Sequence, residues 1–104
     1  MRKAEVFVNN VRAGVFTEIK SQLEYEFTYE PDYQGDPISL TLPLKIRNYK
    51  FTSFPAVLEG LLPEGIQLES LLRDKKINRQ DFFRQLMVCG GDCVGAITVK
   101  EIIT

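Results

Sequence analysis

The chain has 104 residues, 44% of them hydrophobic and 26% charged, which is typical of one globular domain that buries its own core. Its 13 Lys and Arg residues nearly balance 14 Asp and Glu residues, which argues against a nucleic-acid-binding surface, and the lack of His excludes His-based triads and His metal ligands. No apolar run approaches the ~20 residues that cross a bilayer and no signal-peptide segment opens the chain, so we expect a cytoplasmic protein.

The first 30 residues predict antiparallel strands. Residues 4–9 and 11–16 are β-rich runs that meet at Asn9 and Asn10, and Asn tolerates the left-handed backbone angles of a tight hairpin. Gly14 in the second run predicts a β-bulge or the close approach of another backbone. Residues 22–30 alternate strictly between apolar and polar side chains, which predicts a strand with one buried and one solvated face. The Glu row on its polar face could be interpreted as catalytic carboxylates, but we favour an ordinary solvated strand face.

The middle of the chain carries a second alternating pattern. Residues 31–37 form a turn-rich loop, and residues 38–46 then alternate as a strand would. Pro43 lies inside this run and predicts an edge strand or a break there, because proline lacks the N–H that a central strand donates. Residues 48–53 read as a short polar connection.

Residues 54–65 join the predicted strands to a helical half. Apolar residues recur there at helical spacing, Gly60 weakens the helix, and Pro63 ends it. Gly65 predicts a sharp turn of the backbone two residues later. The apolar stripe of this helix consists of Phe54, Val57, Leu58, Leu61 and Leu62.

Two more helices and a closing strand complete the prediction. Residues 67–74 predict a short helix, Asn78 is a candidate N-cap for the next helix, and Gly90 or Gly91 ends that helix. Residues 94–103 are β-branched and predict a final strand. The fold class is therefore α+β: an antiparallel sheet packed with a small cluster of short helices. The expected core residues are Leu23, Tyr25, Phe27, Leu40, Leu42, Leu58, Leu61, Leu71, Phe82, Leu86 and Ile97.

The sequence offers no recognisable catalytic set and no cofactor or metal site. Cys89 and Cys93 are spaced one residue too far apart for a redox Cys-x-x-Cys motif, and two Cys without His do not make a zinc site. We expect both to be reduced structural thiols. The glycine-rich residues 90–95 match no phosphate-binding motif and are better explained as a helix end followed by a turn. Asp81-Phe82-Phe83 lacks the glycine of a kinase Asp-Phe-Gly motif.

Four segments together resemble the N-terminal module of HipA-type serine/threonine kinases. The resemblance covers nearly the whole chain, so we expect one such domain over residues 1–104. In that family a kinase core follows the module, and here the chain stops at Thr104. The segments are Phe27-x-Tyr29, Pro37-Ile38-Ser39-Leu40-x-Leu42-Pro43-Leu44, Phe54 with Leu61-Leu62-Pro63-Glu64-Gly65, and Gly91-x-Cys93-x-Gly95-Ala96.

A short chain of this kind also resembles the HipS-type subunits of three-part HipBST toxin–antitoxin systems. That resemblance implies a non-catalytic component that binds a separate HipT-like kinase toxin and inhibits or modulates it. It also implies a ternary complex with a HipB-like DNA-binding protein. The alternative is that the chain is the missing lobe of a split kinase and completes the active enzyme.

We expect the kinase to bind at the turn between the first two helices. An apolar side chain flanked by polar ones, as Ile66 is by Glu64 and Gln67, is typical of a small docking anchor. The competing interpretation is that Ile66 packs the following helix onto the core. If docking is elsewhere, the exposed face of the 22–30 strand is the next candidate. The expected partner-binding residues are Leu62, Pro63, Glu64, Gly65, Ile66 and Gln67.

Overall fold

The computed structural model describes residues 1–92 and 96–103. Its strands are β1 (Arg2–Val8), β2 (Val11–Lys20), β3 (Glu24–Tyr29), β4 (Asn48–Phe51) and β5 (Ile97–Ile102). Within the described residues these form one antiparallel sheet in the order β4-β3-β2-β1-β5. The helices are α1 (Ala56–Glu59), α2 (Gly65–Lys75) and α3 (Phe82–Cys89), and a 3-10 turn (Gly90–Asp92) follows α3. The predicted α+β class is confirmed.

The N-terminal hairpin forms where two consecutive asparagines predict it. Asn9 and Asn10 have φ angles of 50° and 68°, the pair of left-handed conformations that a tight two-residue turn requires. Both features predicted from Gly14, a β-bulge and the close approach of another backbone, are present. The β1–β2 register shifts between Val6 and Phe7, so Ala13 is the extra residue of a bulge. A Cβ atom on Gly14 would also lie 2.3 Å from the Thr28 carbonyl oxygen.

The core lies between one face of the sheet and helices α1 and α3, with Phe16 of β2 at its centre. The Phe16 ring stacks on Tyr25 and Phe83 and meets the edge of Phe54, with all three centroid distances at 5.6 Å. Among the expected core residues, Tyr25, Phe27, Leu42, Leu58 and Leu86 are buried, Leu61, Phe82 and Ile97 are partly buried against the core, and Leu71 is half-buried.

Leu23 does not belong to the core, contrary to the prediction, and its side chain is 65% exposed. The third strand begins at Glu24, two residues later than the alternation over residues 22–30 suggests. Gln22 has a φ of 62° and the Leu23 N–H donates to the Lys20 carbonyl at 3.0 Å, so the chain is still turning at Leu23. The alternation of β3 itself is confirmed, with Tyr25, Phe27 and Tyr29 inward.

The predicted second strand at residues 38–46 is wrong, and so is the core position of Leu40, which is 95% exposed. This segment is a loop held by a buried tyrosine. The Tyr29 hydroxyl donates to the Leu42 carbonyl at 2.6 Å and accepts from the Ile38 N–H at 3.0 Å. Ile38 and Leu42 are therefore drawn inward, while Leu40 projects between them.

The fourth strand of the sheet lies in a segment that the sequence predicts as a polar connection. Asn48–Phe51 pairs with β3, placing Tyr49 opposite Phe27 and Phe51 opposite Tyr25. Only two of its four side chains are partly buried. A strand of four residues is too short for an alternating apolar pattern to identify it from the sequence.

The C-terminal half follows the prediction with two differences. Helix α2 begins two residues earlier than expected and ends at Lys75, and Lys76 follows it as the C-cap residue with a φ of 55°. Asp81, and not Asn78, caps α3, because its Oδ1 accepts from the Arg84 N–H at 3.1 Å. Asn78 instead accepts from the Gln80 N–H in the preceding turn. Cys89 is half-buried, whereas Cys93, Val94 and Gly95 lie outside the described residues.

Candidate functional site

The candidate site is the turn at residues 62–67, called the docking turn from here on, which leads from α1 into the start of α2. Helix α1 is a single turn, extended by hydrogen bonds from the Leu61 N–H to the Leu58 carbonyl and from the Leu62 N–H to the Glu59 carbonyl. Pro63 has no N–H with which to continue it. Gly65 then takes a φ of +59°, a conformation that other residues rarely adopt. These local features together project the start of α2 from the surface.

Ile66 is the most prominent apolar side chain of the docking turn, at 89% exposed. The competing interpretation, in which Ile66 packs α2 onto the core, is therefore wrong. Glu64, Gly65 and Gln67 are exposed beside it, whereas Leu62 and Pro63 are half-buried. The predicted residues therefore lie together: the exposed apolar side chain of Ile66 has polar residues beside it, and the half-buried Leu62 and Pro63 lie beneath the turn.

A small cleft of about 150 Å³ adjoins the docking turn, and the sequence alone does not reveal it. It lies between the end of α1, the start of α2 and one side of α3. Glu59 and Glu64 are its charged residues, both exposed, and neither makes an ion pair with a described residue. Its other lining residues are Leu62, Pro63, Leu68, Phe82 and Gln85.

Gln85 is the buried polar residue of this cleft, with 1% of its surface exposed. Its Nε2 donates to the carbonyls of Asn78 and Arg79, at 3.3 and 2.9 Å. Because a carbonyl only accepts, the amide nitrogen must face these two groups.

A partly buried charge cluster positions α3, and with it one wall of the cleft. Arg2 of β1 donates to both carboxylate oxygens of Glu18, at 2.7 and 2.8 Å, and to both of Asp81, at 2.8 and 3.2 Å. Its guanidinium also lies 4.9 Å from the centroid of the Phe83 ring. No local pattern relates residues 2, 18 and 81, so this cluster escapes sequence analysis.

The electrostatics of this cluster favour its charged state. Burial by itself raises the pKa of Asp81, but hydrogen bonds from Arg2 and from the Arg84 N–H outweigh it, and the pKa lies below its ordinary value of 3.8. Burial likewise lowers the pKa of Arg2, but its hydrogen bonds to Asp81 and Glu18 outweigh this, and the net shift is upward. The first turn of α3 is therefore tied to β1 by ionised groups.

The docking turn and the cleft are suited to binding a partner. They combine an exposed apolar side chain with two carboxylates that have no ion-pair partner among the described residues. Among residues 1–92 and 96–103, no group of three or more Cys, Asp or Glu side chains could hold a metal ion. The helices described by the structure include none that is long and apolar enough to cross a membrane.

Comparison with known proteins gives concordant matches over the whole chain. A protein of Haemophilus influenzae described as uncharacterized is 29% identical over 101 residues, a match that covers 97% of this chain and 93% of that protein. A solved structure titled as the N-terminal domain of HipA toxin superposes with a TM-score of 0.76 at 25% sequence identity, covering all of this chain and 95% of that one.

The sequence model described as the HipA N-terminal domain matches residues 4–100. This range contains all three helices, β2 to β4 and most of β1 and β5. The resemblance inferred from the motifs is thereby confirmed, and the chain belongs to the HipA N-terminal domain family.

Proposed function

We propose that this chain is a non-catalytic toxin–antitoxin component that binds a separate HipT-like serine/threonine kinase and inhibits or modulates it. In this proposal it acts in the cytoplasm as the HipS-type subunit, and the kinase complex also contains a HipB-like DNA-binding protein. Two findings support the proposal. The chain belongs to the HipA N-terminal domain family. Its Haemophilus relative is also a chain of about the same length, since the match spans 93% of it.

The exposure of Ile66 is the observation on which the proposed docking site depends. An isoleucine that is 89% exposed gains no burial in the isolated chain, and full burial of such a side chain is worth about 1.5–3 kcal/mol. The backbone of Ile66 is positioned by the left-handed turn at Gly65 and by helix α2, of which Ile66 is the second residue. A preorganised apolar anchor with polar neighbours has the composition of an interface hot spot.

The test is to measure binding of the purified chain and its Ile66→Asp variant to a purified HipT-like kinase that lacks its own N-terminal module. We expect Ile66→Asp to weaken binding at least tenfold, which corresponds to about 1.4 kcal/mol. The matched control is Leu40→Asp, because Leu40 is equally apolar and 95% exposed but lies in the loop held by Tyr29. It should change the affinity less than threefold.

The opposite pattern, with Leu40→Asp weakening binding and Ile66→Asp leaving it unchanged, would move the docking site to the loop at residues 38–42. If neither variant changes the affinity, the solvated face of β3 becomes the next site to test.

The sign of the effect on kinase activity separates the two functions proposed for the chain. An inhibitory subunit lowers the rate at which the kinase phosphorylates its substrate, in proportion to complex formed. A missing lobe of a split kinase raises that rate from near zero. The assay therefore uses the kinase alone, the kinase with the chain, and the kinase with the Ile66→Asp variant. If the chain raises the phosphorylation rate of the kinase and the Ile66→Asp variant does not, the result would contradict inhibition and favour the split-kinase alternative.

A further inference from the structure

We infer that the outer edge of β5 binds an extended segment of the partner kinase as an added antiparallel strand, with an acidic residue of that segment opposite Lys100. This inference rests on the proposed function for the identity of the partner. It adds a second contact surface, separate from the docking turn, and the chemistry that the partner presents there. We call this surface the β5 edge; it consists of residues 99–101 and the groove beside them.

The backbone of β5 presents hydrogen-bonding groups that no described strand uses. The Asn9 N–H donates to the Ala96 carbonyl at 2.8 Å, and the antiparallel β1–β5 register continues from there without a shift. Alternate residues of such a ladder bond to the neighbouring strand, so the N–H and C=O groups of Val99 and Glu101 point away from β1. Among the described strands, β5 ends the sheet. A Cβ atom on Gly90 would lie 2.9 Å from the Val99 carbonyl oxygen, so the more accessible position is Glu101.

A groove of about 510 Å³ runs along this edge. Thr98 and Lys100, on the solvated face of β5, contribute to its lining, and so do Met87 and Val88 of α3 on the helical side. A space that both layers of the fold border lies beside the strand and not on one face of it. An added strand requires such a space, because its side chains alternate between the two faces.

Lys100 determines the charge of the segment that fits. It is exposed and makes no ion pair within the described part of the chain. Glu5 lies opposite it in β1 but contacts Arg12 at 3.4 Å. On the outer side, a residue opposite Lys100 would occupy a non-hydrogen-bonded position, where the Cα atoms are only about 4.5 Å apart. Opposite charges stabilise such a pair, so the partner supplies Asp or Glu there.

A second copy of the chain fits this edge poorly. In a symmetric antiparallel pair of β5 strands, residues whose backbones point outward face each other, so a single residue lies at the centre. A centre at Lys100 or Glu101 places like charges opposite each other, which is destabilising. A centre at Val99 places Lys100 opposite Thr98 and uses the position that Gly90 approaches. The charges therefore favour a different chain as the occupant.

The β5 edge and the docking turn lie at the two ends of α3, within reach of one partner. Phe82, at the start of α3, lines the cleft beside the docking turn, and Val88, near its end, lines the groove. The helix has 8 residues and is therefore about 12 Å long. An interface of ordinary size, about 800 Å² on each partner, spans that distance. The kinase that contacts Ile66 can thus also supply the added strand.

The first experiment removes the outward N–H of the β5 edge with Glu101→Pro and measures affinity for the HipT-like kinase. Proline is tolerated at an edge position whose N–H faces away from the sheet. The matched control, Lys50→Pro, makes the same change on β4, since the Tyr29 N–H donates to the Arg47 carbonyl and Lys50 therefore points its backbone away from β3. We expect Glu101→Pro to bind at least tenfold more weakly and the control to differ less than threefold from wild type. Equal affinities would overturn the inference.

The second experiment reverses the charge with Lys100→Glu and uses Lys50→Glu as its control, because both lysines are exposed on edge strands. We expect at least tenfold weaker kinase binding for Lys100→Glu and less than threefold for Lys50→Glu. Ile66→Asp is measured in parallel. If it weakens binding and both β5 variants match their controls, the docking turn stands and the strand addition falls. If the β5 variants alone weaken binding, the strand addition stands and the apolar anchor falls.

Size-exclusion chromatography of the free chain tests the alternative occupant. A dimer that Glu101→Pro converts to a monomer would make a second copy the occupant and overturn the inference. A wild-type monomer, together with the loss of kinase binding described above, supports it.

If no complex forms with the kinase, the proposed function falls, and a peptide probe decides the β5 edge by itself. The ¹⁵N-labelled chain is titrated with a blocked pentapeptide, Thr-Val-Glu-Val-Thr, and with Thr-Val-Lys-Val-Thr as the control of opposite charge. We expect saturable shifts of the Glu101 amide that are at least threefold larger with the acidic peptide, and the reverse preference in Lys100→Glu. Equal shifts with both peptides, or no saturable shift at Glu101, would overturn the strand addition.

Discussion

Gly65 is the residue on which the geometry of the docking turn depends. Its φ of +59° lies in the left-handed region, and a Cβ atom at this position would meet no atom within 4 Å. The glycine is therefore required by the backbone angle and not by a lack of space. We expect Gly65→Ala to lower the free energy of unfolding by about 1–2 kcal/mol, measured by chemical denaturation.

Gly60 provides the matched control for this prediction. It has a φ of −62° in an αR conformation, and an added Cβ would lie 3.5 Å from the Ala56 carbonyl oxygen, an ordinary contact. Gly60→Ala should therefore be neutral or stabilise the fold by up to about 1 kcal/mol, because alanine restricts the unfolded chain. An equal loss of stability in both variants would show that φ at Gly65 is not the cause.

Asp81 makes the stability of the chain depend on pH. Its pKa is lowered in the folded state, mainly by Arg2, so the ionised carboxylate contributes stability above the ordinary value of 3.8. That contribution is lost as the pH falls below 3.8 and through the folded-state pKa. We expect Asp81→Asn, which retains a capping side chain, to cost on the order of 1 kcal/mol at pH 7. The difference from wild type should shrink below pH 4. A constant difference from pH 7 to pH 3 would contradict this assignment.

At the scale of single elements, helix α1 is attached to the sheet mainly by one side chain. Leu58 is fully buried in a helix of only four residues, whereas Leu61 just beyond it is half-buried. Such a short helix has little stability of its own, so its position depends on packing. We expect Leu58→Ala to cost about 2–5 kcal/mol of unfolding free energy.

Leu40→Ala is the comparison for Leu58→Ala, since both remove the same atoms. Leu40 is 95% exposed and should change the unfolding free energy by less than about 0.5 kcal/mol. Denaturation midpoints of the two variants measure the contrast. A large loss for Leu40→Ala would mean that the loop at residues 38–46 is packed differently from the structure described.

The loop at residues 31–47 shows how long-range hydrogen bonds replace a strand. Arg47 donates to the carbonyls of Glu30 and Tyr33, at 3.3 and 2.8 Å, at one end of the loop. Tyr29 bonds to Ile38 and Leu42 in its middle. Side chains of β3 and of Arg47 thus bond the backbone groups of Tyr33, Ile38 and Leu42, which in a strand would bond to a neighbouring strand.

At the scale of the whole molecule, the chain presents two contrasting surfaces. One face of the sheet is covered by α1 and α3, and the other carries the polar side chains of β3, including Glu24 and Glu26. The docking turn lies on the helical side, where α1 meets α2. A partner that binds there contacts the helices and leaves the solvated sheet face accessible.

The chain alone is expected not to transfer phosphate. Its sequence has no glycine-rich phosphate-binding loop, no His-Arg-Asp catalytic loop and no Asp-Phe-Gly motif. Incubation of the purified protein with radiolabelled ATP and Mg²⁺ should give no incorporation above a heat-denatured sample. Reproducible autophosphorylation would contradict the non-catalytic role and require a different function.

Local features of the sequence determined much of the fold. Strict alternation placed Tyr25, Phe27 and Tyr29 on the buried face of a strand, and two asparagines placed the first hairpin turn. Pro63 and Gly65 placed the break between the first two helices. These features act through neighbouring residues, since alternation, turn angles and the missing proline N–H need no distant partner. The family resemblance was likewise carried by short motifs and is confirmed.

Only the tertiary structure decided the features that depend on residues far apart in the chain. An apolar alternation at residues 38–46 is compatible both with a strand and with a loop whose ends are held inward, and the Tyr29 hydroxyl selects the loop. The cleft likewise requires α1, α2 and α3 to meet, with Arg2 and Glu18 fixing the start of α3. The residues of the docking turn could be named from the sequence, but the exposure of Ile66 could not, because burial depends on which elements pack against it.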